Sequence, residues 1–176
     1  MFQERENVFL LGFMGSGKSV VGRLLAEALG KVFVDTDCYI EASVGQGIEQ
    51  IVSEYGEENF RHKEQRFLQS LERKQNLVLA CGGGMPCYGD NMRLISDLGA
   101  SVFLDVSPQT LCKRLLNGKN KGRFLLQNLL PSELPIFIET KLHQRMPFYI
   151  KSDFVVKNED SPQRCVSEIL NLLNAN

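Results

Sequence analysis

The apolar run Val8-Phe9-Leu10-Leu11 ends directly in Gly12-Phe13-Met14-Gly15-Ser16-Gly17-Lys18-Ser19, and from Val20 to Leu29 the apolar residues recur at helical spacing. Strand, glycine-rich loop and helix, with G-x-x-x-x-G-K-[ST] matched at every fixed position, leave few folds open to the chain. Glycines let the backbone curl until successive N–H groups face one anion, and the helix N-terminus adds a favourable dipole. Lys18 reaches the β- and γ-phosphates, and the Ser19 hydroxyl is a ligand for Mg²⁺. Gly15, Ser16, Gly17, Lys18, Ser19 and Val20 are therefore the expected contacts of a nucleoside triphosphate, with the loop spanning 12–19. The motif does not decide where the γ-phosphate goes, because GTPases, ATPases and kinases share the cradle.

The rest of the chain alternates strand and helix signals. Val32-Phe33-Val34 gives a second strand ending at Asp35-Thr36-Asp37, Leu77-Val78-Leu79-Ala80 a third, Val102-Phe103-Leu104-Asp105-Val106 a fourth and Phe154-Val155-Val156 a fifth. Between Tyr39 and Lys74 the pattern is helical and more polar, with breaks at Gly45-Gln46-Gly47 and at Gly56, which predicts two or three helices. Ser107-Pro108 and Ser161-Pro162 each read as an N-cap followed by proline at the first helical position, and Leu134 to Tyr149 reads as a further helix. Strands alternating with helices predict a parallel sheet covered on both faces, an α/β/α sandwich of three layers with five strands. Asn117 to Gly122 holds no apolar residue, and a lid over about 112–126 is expected there.

With 176 residues, 43% hydrophobic, the chain is long enough for one core and one domain spanning 1–176. A formal charge of −1 gives no global attraction to nucleic acid or to an anionic membrane surface, so any basic site must be local. No apolar stretch approaches the ~18 residues of a membrane span, and the first residues lack the apolar centre of a signal peptide. A cytoplasmic monomer acting on small molecules is the expectation. Cys38, Cys81, Cys87, Cys112 and Cys165 are odd in number and lack C-x-x-C spacing, which reads as reduced thiols rather than a disulfide framework or a zinc site. Cys81 and Cys87 flank the glycine run and read as small buried hydrophobes.

Asp35 and Asp37 stand two apart at the end of the second strand, so an extended backbone would point both toward the crevice where open α/β sheets bind ligands. Asp35 suits the outer shell of Mg²⁺, and Asp37 suits a polyol acceptor, either orienting the attacking hydroxyl or taking its proton. Arg61 lies on a predicted helix near that crevice. It can clamp a carboxylate with two hydrogen bonds, or pair with Glu57 or Glu64 on its own helix. Gly82-Gly83-Gly84 follows the third strand, where backbone either approaches a ligand or turns tightly. Arg123 adjoins the expected lid and can neutralise charge on a transferred phosphoryl group, while Arg145, near the end of a helix, can add a second cation for an anionic substrate.

Read together, these positions resemble the shikimate kinase family. The resemblance rests on Gly12 to Ser19, Asp35 with Asp37, Phe60-Arg61 with Glu64, Gly82 to Gly84, Arg123 with Leu125-Leu126, and Arg145 with Pro147 and Tyr149, in the family's order from residue 12 to 149. It implies a P-loop fold of the nucleoside-monophosphate-kinase type with a mobile lid and an acceptor-binding helical region over about 38–74. It also implies transfer of the ATP γ-phosphate to the 3-hydroxyl of shikimate with Mg²⁺, in the route to aromatic compounds. Lys18 and the loop amides would hold the phosphates, and Ser19 and Asp35 the metal. Asp37, Arg61, the glycines 82–84 and Arg145 would hold shikimate, with both arginines on its carboxylate, and Arg123 would cover the phosphates. Lys18, Asp37 and Arg123 are the catalytic candidates. The chain departs from the family in having Phe124 where proline usually follows the lid arginine, and Leu116 where an adenine-stacking arginine is common, with Arg114 and Lys119 nearby. A kinase for another polar acceptor such as gluconate shares the loop. A guanine-nucleotide switch is disfavoured because Arg123 stands where the N-K-x-D pattern needs aspartate.

Overall fold

The computed structural model describes residues 7–72, 76–117, 124–126 and 129–175. Five strands, β1 (Asn7–Leu11), β2 (Val32–Asp35), β3 (Leu77–Ala80), β4 (Gly99–Asp105) and β5 (Phe154–Lys157), form one parallel sheet in the order β2-β3-β1-β4-β5. Among the described residues, seven α-helices connect and cover them: α1 (Lys18–Leu29), α2 (Thr36–Val44), α3 (Ile48–Ser70), α4 (Asn91–Leu98), α5 (Pro108–Asn117), α6 (Leu134–Tyr149) and α7 (Pro162–Asn174). This is the predicted α/β/α sandwich.

Side chains alternate across a strand, and β1 divides its residues between two cores accordingly. Phe9 and Leu11 join Leu79, Phe103 and residues of α3, α4, α5 and α6 on one face. Val8 and Leu10 join Val78, Val102, Val156 and residues of α1 and α7 on the other. A strand covered on both sides needs apolar side chains on both faces, which is why β1 reads as an unbroken hydrophobic run from Val8 to Leu11. A third, smaller cluster of Ile40, Ile48, Ile51 and Phe60 packs α2 against the start of α3. The chain leaves β1 for β2 and β3 on one side and then crosses to β4 on the other, so the C-terminal end of β1 is the point where strand order reverses and where such sheets bind ligands.

Two features differ from the sequence expectation. Asp35 and Asp37 do not share an extended backbone: Asp35 ends β2 and caps α2, its Oδ1 accepting from the N–H of Asp37 at 3.2 Å and of Cys38 at 3.5 Å, so Asp37 already lies in the first helical turn. An aspartate at this place satisfies N–H groups that the helix leaves open, and that gain starts the helix early. The segment 85–98, which carries no predicted element, forms a short 3₁₀ turn (Met85–Cys87) and α4. The helical region after β2 resolves into α2 and α3, with Gly56 at φ 83° kinking α3 where the break is expected. Ser107 and Ser161 act as the expected caps, accepting from the N–H of Thr110 and Arg164. The segment 118–123, which includes the polar part of the expected lid, lies outside the described residues.

Candidate active site

The loop after β1 curls back on itself through a hydrogen bond from the Ser16 N–H to the Phe13 carbonyl, 3.1 Å. Gly12, Gly15 and Gly17 all take positive φ, which only glycine adopts at no steric cost. Lys18 opens α1, folds over the loop and donates from Nζ to the carbonyls of Gly12 (2.8 Å) and Phe13 (2.9 Å). An ammonium has three donors, so one remains for a ligand. Burial holds its pKa down to about 8, against the pull of Asp37 and Asp35. The Ser19 hydroxyl, one residue further into the helix, donates to Asp35 Oδ2 at 2.8 Å.

Beside this loop, three consecutive glycines give up their side-chain space to four charged neighbours. A β-carbon on Gly82 would stand 2.6 Å from Glu64 Oε1 and 2.7 Å from Asp37 Oδ1, and one on Gly83 would stand 3.0 Å from Arg145 Nη1. One on Gly84 would collide with the Arg61 guanidinium. None of the three needs positive φ, so close approach is what requires glycine here. The backbone of the run is also fixed from below. Thr36 Oγ1 accepts from the Gly82 N–H at 2.9 Å and donates to the Ala80 carbonyl at 3.2 Å. The Tyr149 phenol donates to the Gly83 carbonyl at 2.6 Å.

Arg61 is buried, at 9% exposure, and donates to Glu64 Oε2 at 2.7 Å and to Glu57 Oε1 at 2.8 Å. The pairing with its own helix and the place in the crevice, posed as alternatives by the sequence, are both realised. Arg145, on α6, is also buried at 8%, and its Nη1 has no hydrogen-bond partner among the described residues. Two buried guanidiniums facing one cleft are a strong attraction for a carboxylate. Asp37 Oδ1 and Glu64 Oε1 are likewise buried without partners. Burial, and secondarily the nearby Asp35, raises the Asp37 carboxyl to about 6, while burial lifts Glu64 to about 7 against the opposing pull of Arg61.

These groups line one cleft of about 390 Å³. Gly15, Gly17, Lys18, Ser19, Val20, Asp35, Asp37, Arg61, Gly82, Gly83, Gly84 and Arg145 all face it. Ser16 is 1% exposed and does not line the cleft, and its N–H is spent inside the loop. The tight turn that builds the cradle buries this residue beneath it. Arg123 lies outside the described residues. Cys81 is a buried thiol whose pKa burial drives far up, in keeping with a structural role, and Cys87 is half-buried. Among the described residues no cluster of three or more His, Cys, Asp or Glu side chains could hold a metal by itself.

Sequence reasoning named Glu64 as a partner of Arg61 and Tyr149 as part of the Arg145 motif, but assigned no task to Tyr149 or Asn158. Arg114, close in sequence to where the family has an adenine-stacking arginine, lines the cleft. It donates to the carbonyls of Asn158 (2.7 Å), Glu159 (3.2 Å) and Gly15 (3.4 Å). No local pattern marks Tyr149, Asn158 or Arg114, because their partners lie 44 to 142 positions away.

Comparison with known proteins agrees on one family. The shikimate kinase family model matches residues 14–174. A shikimate kinase of Bacteroides fragilis is 38% identical over 172 residues, covering 95% of this chain and 96% of that protein. The crystal structure of the Bacteroides thetaiotaomicron shikimate kinase superposes with a TM-score of 0.90 at 34% identity, over 96% of this chain and 98% of that one. The Acinetobacter baumannii shikimate kinase in complex with shikimate superposes with a TM-score of 0.89 at 32% identity, over 97% and 93%.

Proposed function

The chain belongs to the shikimate kinase family, and on that footing we propose how its cleft divides the work of an ATP-dependent phosphotransferase. Its reaction moves the γ-phosphate of ATP to the 3-hydroxyl of shikimate and yields shikimate 3-phosphate and ADP, on the route to chorismate and the aromatic amino acids. The observation that carries the assignment of roles is the meeting of a phosphate loop with two buried guanidiniums across one cleft.

Gly15, Gly17, Ser19 and Val20 hold the triphosphate from the loop and the first turn of α1, and Lys18 places its ammonium against the transferring phosphoryl group. Ser16 shapes the turn that presents them, its N–H held on the Phe13 carbonyl. Arg61 and Arg145 take the carboxylate of the acceptor, which would satisfy the open Nη1 of Arg145. Gly82, Gly83 and Gly84 form a floor close enough for the ring to reach backbone. Asp37 faces the acceptor hydroxyl with an unpartnered Oδ1, and a carboxyl that titrates near 6 can accept a proton at neutral pH as well as orient the oxygen. Arg123 is the proposed cation over the phosphates.

Ser19 Oγ and Asp35 Oδ2, 2.8 Å apart, are a pair of hard oxygens. Mg²⁺ takes few protein ligands in such sites and fills its shell with phosphate oxygens and water, so this pair fits it. When bound, the ion would neutralise charge on the phosphate oxygens.

The same reading treats the 176 residues as one kinase domain working as a monomer. One sheet with both faces covered supports a single unit, and five unpaired thiols suit the reducing cytoplasm. No helix among the described residues is long and apolar enough to cross a membrane.

Purified protein with ATP and Mg²⁺ tests the acceptor. ADP release is expected with shikimate and little with gluconate or nucleoside monophosphates. Equal turnover of all three would remove the carboxylate clamp as the basis of recognition.

A further inference from the structure

Two carbonyls of the phosphate loop are held by side chains from distant parts of the chain. Asn158 stands between β5 and α7, 3% exposed, with its backbone N–H on the Asp105 carbonyl at 3.0 Å. Its Nδ2 donates to the Ser16 carbonyl at 2.7 Å, across 142 positions of sequence. Arg114 of α5 donates to the carbonyls of Asn158 and Glu159, pinning the turn that carries the asparagine, and reaches the Gly15 carbonyl with its other nitrogen.

The consequence lies on the opposite side of one peptide group. The Ser16–Gly17 bond is trans and planar, so its C=O and N–H point in opposite directions. With the Ser16 carbonyl turned back onto Asn158, the Gly17 N–H faces the cleft, which Gly17 lines and Ser16 does not. Gly17 is held there twice over: its φ is 92°, and a β-carbon on it would stand 2.6 Å from Asn158 Nδ2. Any side chain at 17 would push away the group that orients its own amide.

We infer that Asn158 is a positioning residue of the nucleotide site, turning the Gly17 N–H onto the polyphosphate chain through its hydrogen bond to the Ser16 carbonyl. Arg114 braces it from behind. The inference rests on the nucleotide reading given above. It adds that the loop is not self-sufficient: one of its anion-facing donors is aimed by the β5–α7 turn. The ligand class is a polyphosphate, and the base and the acceptor play no part.

The test uses inorganic tripolyphosphate, which engages the cradle without a base, as a competitor of ATP in the complete protein. Loss of one hydrogen bond predicts that N158A raises the ATP KM and the tripolyphosphate inhibition constant about fivefold, with the shikimate KM unchanged. Unchanged ATP and tripolyphosphate constants, or a parallel rise in the shikimate KM, would overturn the positioning role. N158L keeps the branched shape without a donor or a charge and serves if N158A does not fold. The wild-type protein gives an independent reading: on adding tripolyphosphate, the Gly17 amide proton should move strongly downfield in the NMR spectrum. A Gly17 resonance that stays in place overturns the inference even if ATP is turned over. A wild type that binds tripolyphosphate through Gly17 but phosphorylates no acceptor would defeat the kinase reading instead.

Discussion

Tyr149 donates a 2.6 Å hydrogen bond to the carbonyl of Gly83, from the same end of α6 that carries Arg145. One turn of helix therefore supplies a guanidinium to the cleft and fixes the strip of backbone beneath it. The phenol is fully buried, stacks on Phe103 with ring centroids 5.0 Å apart, and is pushed by burial to a pKa far above its ordinary value, so it stays a donor.

Removing that donor separates positioning from packing. Tyr149→Phe keeps the stack and loses a bond worth about 1 kcal/mol, with the Gly83 carbonyl left buried. The shikimate KM should rise several-fold and the ATP KM should not move. Steady-state kinetics with each substrate varied in turn checks this.

The glycine run should tolerate no side chain, and its members should fail for different reasons. Gly84→Ala drives a methyl into the Arg61 guanidinium and should raise the shikimate KM about tenfold or more, near 1.4 kcal/mol of lost binding. Gly82→Ala strikes the Asp37 and Glu64 oxygens and should lower kcat as well, because Asp37 faces the reacting hydroxyl. Wild-type kinetics in both variants would mean that the run is only a turn.

Arg61→Ala strands a buried carboxylate. Burial already raises Glu64 from 4.5 to about 7 while Arg61 pulls it down, so losing the arginine lifts it further. A raised folded-state value stabilises the protonated form, and that stability is present at low pH and lost as pH rises through the folded value. Relative to wild type, the variant should be close in stability at acidic pH and fall behind above about pH 7, toward the cost of about 3–5 kcal/mol for breaking a buried pair. Thermal melts across that range measure the gap, and a gap constant with pH would contradict the pairing.

Asp37 sets a pH limb. Its carboxyl titrates at about 6, raised by burial and then by Asp35, so kcat/KM should fall about tenfold per pH unit below that value as the proton-accepting form is lost. Asp37→Asn should lower kcat about a hundredfold or more and flatten the limb. A limb that survives in the variant belongs to another group.

Much of this was legible in the chain because the chemistry is local. The phosphate loop needs its glycines, lysine and serine next to one another, and the double-sided burial of β1 needs an unbroken apolar run, so both are written in consecutive residues. Arg61, the glycine run and Arg145 were legible as candidates and as a family pattern in fixed order. Asp35 and Asp37 were legible as acids at the crevice but their backbone was not, because a cap is decided by whether the helix that follows is stable enough to begin there.

The sequence by itself determined the nucleotide loop, the alternation that makes a parallel sheet, and the residue types able to bind a carboxylate and an alcohol. The tertiary structure alone decided which of them share a cleft and which side chains aim the others: Tyr149 beneath Gly83, and Asn158 with Arg114 behind the loop. Hydrogen bonds between groups tens of residues apart leave no periodicity or spacing in the chain. They exist only once packing both faces of the sheet has fixed where each helix and turn must end.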